Sequence, residues 1–265
     1  MVDRKNCDKL SNRNMPSIDL NCDMGESFGP WKMGCDVELM EYISSANIAC
    51  GFHAGDATTM RKTAELAIEK GVAVGAHPGY PDIQGFGRRA MALNPQEVFD
   101  IVLYQVSALR GICISLGGRL HHVKAHGALY NQAAKNRSLA EAIATAVFRI
   151  DPELVLFGIS GSCLIEEAEK AGLRTGSEVF ADRTYQVDGS LTPRSEPNAL
   201  IHDTEQAIDQ VIQMIESQTV LAVDGASVPL RTETICIHGD GPNAVQFAKA
   251  IRQKLAEHCI EVKAL

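Results

Sequence analysis

The fold is decided by the stretch Ala46-Asn-Ile-Ala-Cys-Gly-Phe-His-Ala-Gly-Asp56, in which a short apolar run ends in small residues. The run then presents His53 and Asp56 directly before a helical pattern. Four other segments place ionisable groups at the end of an apolar run in the same way: Ser17–Asp23, Val72–His77, Leu120–His126 and Thr234–Asp240. Parallel α/β proteins build their sites at the carboxyl ends of the strands. The five segments therefore predict a parallel sheet with a functional site at one end.

Seven segments are predicted to be strands: Ile18–Cys22, Ala46–Cys50, Val72–Ala76, Leu120–Lys124, Leu154–Ile159, Glu178–Ala181 and Thr234–Ile237. Helical patterns lie between most of them, and one begins with a capping box at Asn94 and Glu97. Alternating strands and helices indicate a parallel sheet. Because ionisable groups follow nearly every strand, a closed seven-stranded β/α barrel is favoured over an open doubly wound sheet, which gathers its site at one switch point.

Length and composition are typical of one α/β domain. We expect a barrel domain at residues 17–265 and a disordered or loosely docked extension at residues 1–16, which lacks the apolar core of a signal peptide. The formal net charge of −8 argues against a nucleic-acid surface, and no apolar run is predicted to span a bilayer. The eight cysteines include no C-x-x-C pair, so zinc knuckles and disulfides are not indicated and a cytoplasmic protein is expected.

Polar residues alternate along the first predicted strand. Asp19, Asn21 and Asp23 therefore face the same way. If they face the barrel interior, they can supply a general base or a metal ligand. The alternative is a polar strand edge that caps neighbouring backbone. Glu26 follows immediately, which favours a functional role for Asp23.

The loop after the second strand offers a histidine to the site. Asp56 is interpreted as the N-cap of the helix that begins at Ala57. His53 lies between two glycines that permit the close approach of a ligand. The alternative is an ordinary loop histidine, but similar histidines after other strands, His77, His126 and His238, strengthen the functional interpretation.

The loop after the third strand begins at His77 and continues to Arg89 through several prolines and glycines, which hold the backbone in a defined shape. It also contains Asp82. Either Arg88 or Arg89 could bind a carboxylate or a phosphate with two hydrogen bonds. The sequence alone does not choose between these two arginines.

His122, Lys124 and His126 alternate near the end of the fourth strand, so the pattern predicts that they share a face. Three basic side chains on one face are costly to bury without an anionic partner. The candidates for that partner are Asp23, Glu26 and the substrate.

Later segments add further candidates. The irregular stretch from Asp182 to Leu200, which contains Arg183, is long enough to be a functional lid. Residues 158–162 are predicted to form a turn and a helix N-terminus that could offer amides to an anion, and the stretch containing His238 and Asp240 repeats this arrangement. The sequence contains no P-loop and no strand-linked G-x-G-x-x-G, which argues against a standard ATPase or Rossmann site.

Seven ordered motifs resemble the LamB/YcsF family: IDLNCDMGESFGPWKMG, ANIACGFHAGD, GVAVGAHPGYPDIQGFGRR, HHVKAHGALYN, FADRTY, DGSLTPRS and ICIHGDGP. The resemblance begins near Ile18 and extends to the end of the chain. It departs from the family pattern at Ala125, where the family usually has proline. The departure leaves Lys124 and His126 in place.

The resemblance implies a seven-stranded β/α barrel similar to glycoside hydrolases and polysaccharide deacetylases. It implies ATP-dependent opening of the 5-oxoproline (pyroglutamate) lactam to L-glutamate, with ATP as co-substrate, no firmly implied metal, and 5-oxoprolinase subunits B and C as partners. We expect Asp23 or His77 to activate water, and Lys124 or an arginine of the pair Arg88 and Arg89 to stabilise negative charge. The expected binding and orienting residues include Asn21, Glu26, His53, Asp82, His122, His126, Arg183, His238 and Asp240.

The sequence is also compatible with two other functions. The first is a metal-dependent deacetylase or amidohydrolase that holds a divalent ion on Asp23, His53 and His77. The second is a regulatory protein of the complex that has no catalytic role. Ionisable groups at the ends of many strands are energetically costly to maintain in a protein that has no active site, which argues against this second alternative.

Overall fold

The computed structural model describes residues 16–237 and 243–265. Its strands are β1 Ser17–Met24, β2 Ser45–Ala49, β3 Ala73–His77, β4 Leu120–Lys124, β5 Val155–Ile159, β6 Arg174–Phe180, β7 Thr219–Leu221, β8 Ser227–Pro229, β9 Thr234–Ile237 and β10 Glu261–Val262. Strands β1 to β6 are neighbours in order, and β9 joins β6 to β1, all in parallel. The predicted seven-stranded parallel barrel is therefore confirmed. The predicted extension lies outside the described residues except for Pro16.

The helices lie between the strands along the chain: α1 Asp36–Leu39, α2 Ala57–Lys70, α3 Pro95–Ser115, α4 Gly127–Ala133, α5 Arg137–Ile150, α6 Cys163–Lys170, α7 Thr204–Ser217 and α8 Ala244–Glu257. The capping box at Asn94 and Glu97 is present at the start of α3. The Asp56 carboxylate accepts hydrogen bonds from the amides of Thr58 and Thr59, so its predicted role as an N-cap is also confirmed.

The parallel register brings polar residues together inside the barrel. On β1, Asp23 pairs with Asn47 of β2, and Asn21 pairs with Cys236 of β9. The apolar core lies between the barrel strands and the surrounding helices, where the side chains of Leu20 and Cys22 are fully buried. Because side chains alternate across a strand, the odd-numbered residues of β1 point inward while the even-numbered ones pack against helices. The barrel interior is consequently a layer of buried polar groups beneath the carboxyl ends of the strands.

Helix α3 is the one helix among the described residues that is relevant to a membrane span. With 21 residues and a mean hydropathy of 1.4 over its most apolar window, it is long and apolar enough to cross a membrane by length and composition. In this structure it packs against β3, β4 and α5 in the outer layer of the barrel. Its buried positions, such as Val98, Val102 and Val106, recur at helical spacing.

Among the described residues, six cysteines are free thiols: Cys22, Cys35, Cys50, Cys113, Cys163 and Cys236. Four of them, Cys22, Cys50, Cys113 and Cys236, are buried, as small apolar core residues are.

Candidate active site

A pocket of about 830 Å³ opens at the carboxyl ends of the barrel strands. Its inner wall contains Asp23 from β1, His77 from β3, and Lys124 from the end of β4. The outer wall is formed by residues 127–136, 159–162 and 188–194. The predicted location of the site at one end of the barrel thus coincides with a cavity of the size that small ligands occupy.

Lys124 is the central cation of the site. Its ammonium nitrogen lies 2.9 Å from Asp23 Oδ1 and 2.8 Å from Glu178 Oε1, although the side chain is only 3% exposed. Burial alone lowers the pKa of Lys124, but the charges of Asp23 and Glu178 hold that pKa well above its usual range. Lys124 is therefore a fixed positive charge that reaches the pocket from the barrel interior.

Asp23 connects this cation to the histidines. Asp23 Oδ2 lies 3.2 Å from His77 Nε2, and the Asn47 amide donates to Asp23 Oδ1 at 2.9 Å. Burial acts to raise the pKa of Asp23, but His77 and Lys124 hold it well below its usual range. The side chain of Asp23 is 22% exposed, in contrast to Lys124 and Glu178. Asp23 is thus the ionised member of this group that is most accessible from the pocket.

Glu178 is buried beneath the pocket and has several hydrogen-bond donors. Tyr130 donates its hydroxyl to Glu178 Oε2 at 2.5 Å, and the Asn21 amide donates to Glu178 Oε1 at 2.9 Å. Burial and the charge of Glu178 raise the pKa of Tyr130 well above its usual range, so this hydroxyl remains a donor. The donors explain how a fully buried carboxylate is accommodated, since each of its oxygens has a partner.

The rings of His77 and His126 are each anchored to a backbone carbonyl. His77 Nδ1 lies 2.7 Å from the carbonyl oxygen of Lys124, and His126 Nε2 lies 2.9 Å from that of Phe86. The remaining nitrogens, His77 Nε2 and His126 Nδ1, are 2.9 Å apart. Burial and the charge of His77 lower the pKa of His126 to about 3. His126 is therefore neutral at physiological pH.

His53 lies beside this pair and is 1% exposed. Its ring stacks on His126 with centroids 3.7 Å apart, and its Nε2 is 4.0 Å from Glu26 Oε1. Among the described residues, neither ring nitrogen of His53 has a hydrogen-bond partner. One donor atom from each of Glu26, His53, His77 and His126 lies within 4.8 Å of the others, so these four side chains could hold a metal ion.

A second polar layer lies deeper in the barrel. Asn47 donates to Asn21 Oδ1 at 2.8 Å, and His122 Nε2 lies 2.8 Å from Asn47 Oδ1. The buried carboxylate of Asp19 accepts hydrogen bonds from the hydroxyls of Ser44, Ser45 and Thr234. Asn21 and His122 therefore support the site from below and do not line the pocket.

The loop after β3 resolves the choice between the two arginines. Arg89 forms an ion pair with Asp82, and the Asp82 carboxylate also accepts a hydrogen bond from the Gly85 amide. These contacts lie within the loop and stabilise its conformation. Arg88 instead lines the pocket and lies over the ring of Phe86. Of the two arginines, Arg88 is thus the one that lines the pocket.

The long segment after β6 also borders the pocket. Arg183 lines the pocket and is held by the carbonyl oxygens of Thr192 and Ala199, so its guanidinium group organises residues 182–200. The two remaining predicted site residues, His238 and Asp240, lie outside the described residues.

Sequence reasoning missed four residues of this network: Asn47, Tyr130, Glu178 and Cys236. The Cys236 sulphur lies 3.1 Å from the Lys124 ammonium. A signal was available for two of the four, since Asn47 and Glu178 are polar residues within predicted strands and so require partners. Cys236 resembles an ordinary small core residue in sequence. Tyr130 belongs to a short helix after β4 whose orientation the sequence does not give.

The fold and the site together define a β/α-barrel enzyme with its active site at the carboxyl ends of the strands. The chain belongs to the LamB/YcsF family, whose model matches residues 18–265. Two relatives are named as the A subunit of 5-oxoprolinase. The Bordetella parapertussis protein is 57% identical over 94% of this chain and 99% of its own length. The Bacillus subtilis protein is 55% identical over 95% of this chain and 98% of its own length.

Two solved structures have folds similar to that of this chain. The lactam utilization protein from Thermus thermophilus superposes with a TM-score of 0.90 and 47% identity, over 94% of this chain and 100% of that one. A putative cellobiose-phosphate cleavage protein from Enterococcus faecalis has a TM-score of 0.54 and 15% identity, over 94% of this chain and 97% of that one. This second similarity concerns the fold alone.

Proposed function

We propose that this chain is the A subunit of a 5-oxoprolinase, a hydrolase that opens the lactam ring of 5-oxoproline to give L-glutamate. The relatives that cover nearly all of the chain carry that name, and the similar crystal structure is that of a lactam utilization protein. A protein named as one lettered subunit implies other subunits in a complex, and we assign the partners as subunits B and C. ATP is the co-substrate, and the reaction takes place in the cytoplasm.

One observation carries the proposal on the structural side, namely the Lys124 ammonium between Asp23 and Glu178 at the floor of the pocket. Amide hydrolysis needs a base for the attacking water and a positive charge for the oxygen that becomes negative. In our proposal Asp23 takes the proton from water, and Lys124 stabilises the developing charge. Arg88, on the pocket wall, binds the carboxylate of the substrate.

ATP supplies the driving force, because glutamate cyclises readily and the five-membered lactam is unstrained. Transfer of the γ-phosphoryl group to the lactam oxygen would make the ring carbon more electrophilic. The sequence contains no P-loop. We therefore assign at least part of the nucleotide chemistry to the partner subunits and the opening of the ring to this pocket.

The proposal is tested with the reconstituted complex of the three subunits. Glutamate and ADP are measured for the wild type and for Asp23→Asn, which removes the proposed base at nearly constant shape. We expect glutamate formation to fall at least about 100-fold, the usual scale for a general base. The matched control is Asp100→Asn, at an exposed position of α3. Near-normal glutamate release by Asp23→Asn removes Asp23 from the catalytic residues.

A further inference from the structure

We propose that Glu26, His53, His77 and His126 form a binding site for one divalent transition-metal ion of the zinc type. The site lies in the wall of the pocket, beside Asp23. The inference goes beyond lactam opening, because it concerns what the isolated chain binds and needs neither ATP nor 5-oxoproline. Three features support the site: the histidine tautomers, the unpartnered ring of His53 and the geometry of the donors.

The tautomers of two histidines are fixed by their backbone partners. A backbone carbonyl can only accept a hydrogen bond, so His77 Nδ1 and His126 Nε2 must both carry hydrogen. His77 Nε2 lies 2.9 Å from His126 Nδ1 and 3.2 Å from Asp23 Oδ2, so a hydrogen on His77 Nε2 has an acceptor on either side. A metal ion would take the place of that hydrogen and use His77 Nε2 and His126 Nδ1 as two of its ligands. Histidines that bind metals typically donate their outer ring N–H to a carbonyl in this way.

The ring of His53 is buried with no hydrogen-bond partner on either nitrogen within residues 16–237 and 243–265. A buried polar group without a partner costs about 1–3 kcal/mol, so a ring in this position calls for a ligand. Two glycines leave room for the ring, because a side chain at either position would collide with it. A Cβ at Gly79 would lie 2.6 Å from His53 Nδ1, and a Cβ at Gly87 would lie 2.7 Å from His53 Cβ. The loop is therefore shaped to accept this ring beside His126.

The donors have the spacing and the chemical type that a transition metal requires. The four donor atoms lie within 4.8 Å of one another, and His53 Nε2 and Glu26 Oε1 are 4.0 Å apart. Tetrahedral ligands with metal bonds of about 2.0–2.1 Å lie roughly 3.4 Å from one another, so small side-chain shifts close the site. Three imidazoles and one carboxylate suit zinc, nickel, copper or iron, whereas magnesium and calcium prefer oxygen donors.

This donor set differs from the one predicted from sequence, which consisted of Asp23, His53 and His77. The structure replaces Asp23 by Glu26 and His126. Asp23 is instead held through Oδ1 by Lys124 and Asn47, and it remains beside His77. A cation in the wall of the pocket would polarise a carbonyl or phosphoryl oxygen of a ligand, in addition to the charge supplied by Lys124.

The test uses the isolated full-length chain after removal of metal with a chelator. Zn²⁺ is titrated calorimetrically, and Co²⁺ is titrated while its visible absorption is recorded, because tetrahedral Co²⁺ absorbs strongly. We expect one ion per chain and an affinity at least about 100-fold weaker in His53→Ala and in Glu26→Gln. The control is His202→Ala, at an exposed residue outside the pocket. It should bind the ion as the wild type does.

Two outcomes overturn the proposal. One is a wild-type chain that binds neither ion stoichiometrically, in which case a shared proton closes the contact between His77 and His126. The other is that His53→Ala and Glu26→Gln both have the melting temperature of the wild type and bind the ion with the same affinity as the wild type. The Glu26→Gln variant covers the case in which His53→Ala fails to fold, because Glu26 is partly exposed in a loop. Glutamate formation by the complex is measured separately, so failure of the metal site is distinguishable from failure of the lactam proposal.

Discussion

The Lys124 ammonium lies 2.8 Å from the Glu178 carboxylate, and both side chains are almost completely withdrawn from solvent. They come from strands that are not adjacent, since β4 and β6 are separated by β5. A buried ion pair is stabilising only if its remaining hydrogen-bonding groups are also satisfied. Here Tyr130 and Asn21 meet that requirement for Glu178. Glu178 thus positions the cation that we assign to charge stabilisation.

We predict that Glu178→Gln lowers the free energy of unfolding by about 1–3 kcal/mol, because a hydrogen bond to a buried charge is replaced by one to a neutral amide. In the complex, kcat should fall while KM changes little, because Glu178 lies beneath the pocket and acts through Lys124. Urea denaturation and steady-state kinetics measure the two effects. The control is Glu166→Gln, which breaks a half-exposed pair with Arg137 that is worth at most about 1 kcal/mol. Equal effects of both variants would contradict the assignment.

Asp56 links the cap of α2 to the loop that carries Glu26. One carboxylate oxygen accepts the amides of Thr58 and Thr59, and the other accepts the amide of Gly29 at 2.8 Å. We predict that Asp56→Ala costs about 1 kcal/mol of stability, as is usual for the loss of an N-cap. Asp56→Asn should recover most of that loss, because asparagine caps helices well. Thermal unfolding measures both variants, and an Asn variant no better than Ala would show that capping is not the main role.

The fold was predictable because its signals are local. Several of the strands are near-continuous apolar runs, as in Val155–Ile159 and Thr234–Ile237. The helix starts are marked by Asn94 and Asp56, whose side chains accept hydrogen bonds from amides in the first turn. The alternation of Asp19, Asn21 and Asp23 also gave their shared face.

The site was predictable only where a strand end carries the chemistry. Asp23, His77 and Lys124 follow the strand pattern, and all three line the pocket. The partners of Lys124 depend on register across the closed barrel. Glu178 therefore could not be matched to it from sequence. The choice between Arg88 and Arg89 depends on a loop conformation that two adjacent identical residues cannot reveal.

Thiol reactivity tests the burial of the barrel and gives a pH dependence. Burial raises the pKa of Cys50 to about 12 and that of Cys113 to about 11. Because a raised pKa keeps a thiol protonated, and only the thiolate reacts, both should resist alkylation from about pH 7 to about pH 9. Exposed Cys35 should react first, because the reagent reaches its sulphur without any opening of the fold. Mass spectrometry after iodoacetamide treatment measures the labelling at each residue.

The unfolded chain is the control for this experiment. In guanidinium chloride, Cys50 and Cys113 should react as readily as Cys35, because the burial that raises their pKa is lost. Rapid labelling of Cys50 in the native protein near pH 8 would contradict the described packing of β2, at whose end this residue lies.

Two glycine-to-alanine substitutions should have opposite effects on stability. At Gly79 the added Cβ would lie 2.6 Å from His53 Nδ1, so the ring or the loop must move, at a cost of about 1–3 kcal/mol. At Gly111, inside α3, an added Cβ meets nothing within 4 Å, and alanine should stabilise the helix by about 0.5–1 kcal/mol. Urea denaturation of both variants and the wild type measures whether the free energy of unfolding falls for Gly79→Ala and rises for Gly111→Ala. A stable Gly79→Ala variant with unchanged activity would show that the position of His53 is not fixed by this contact.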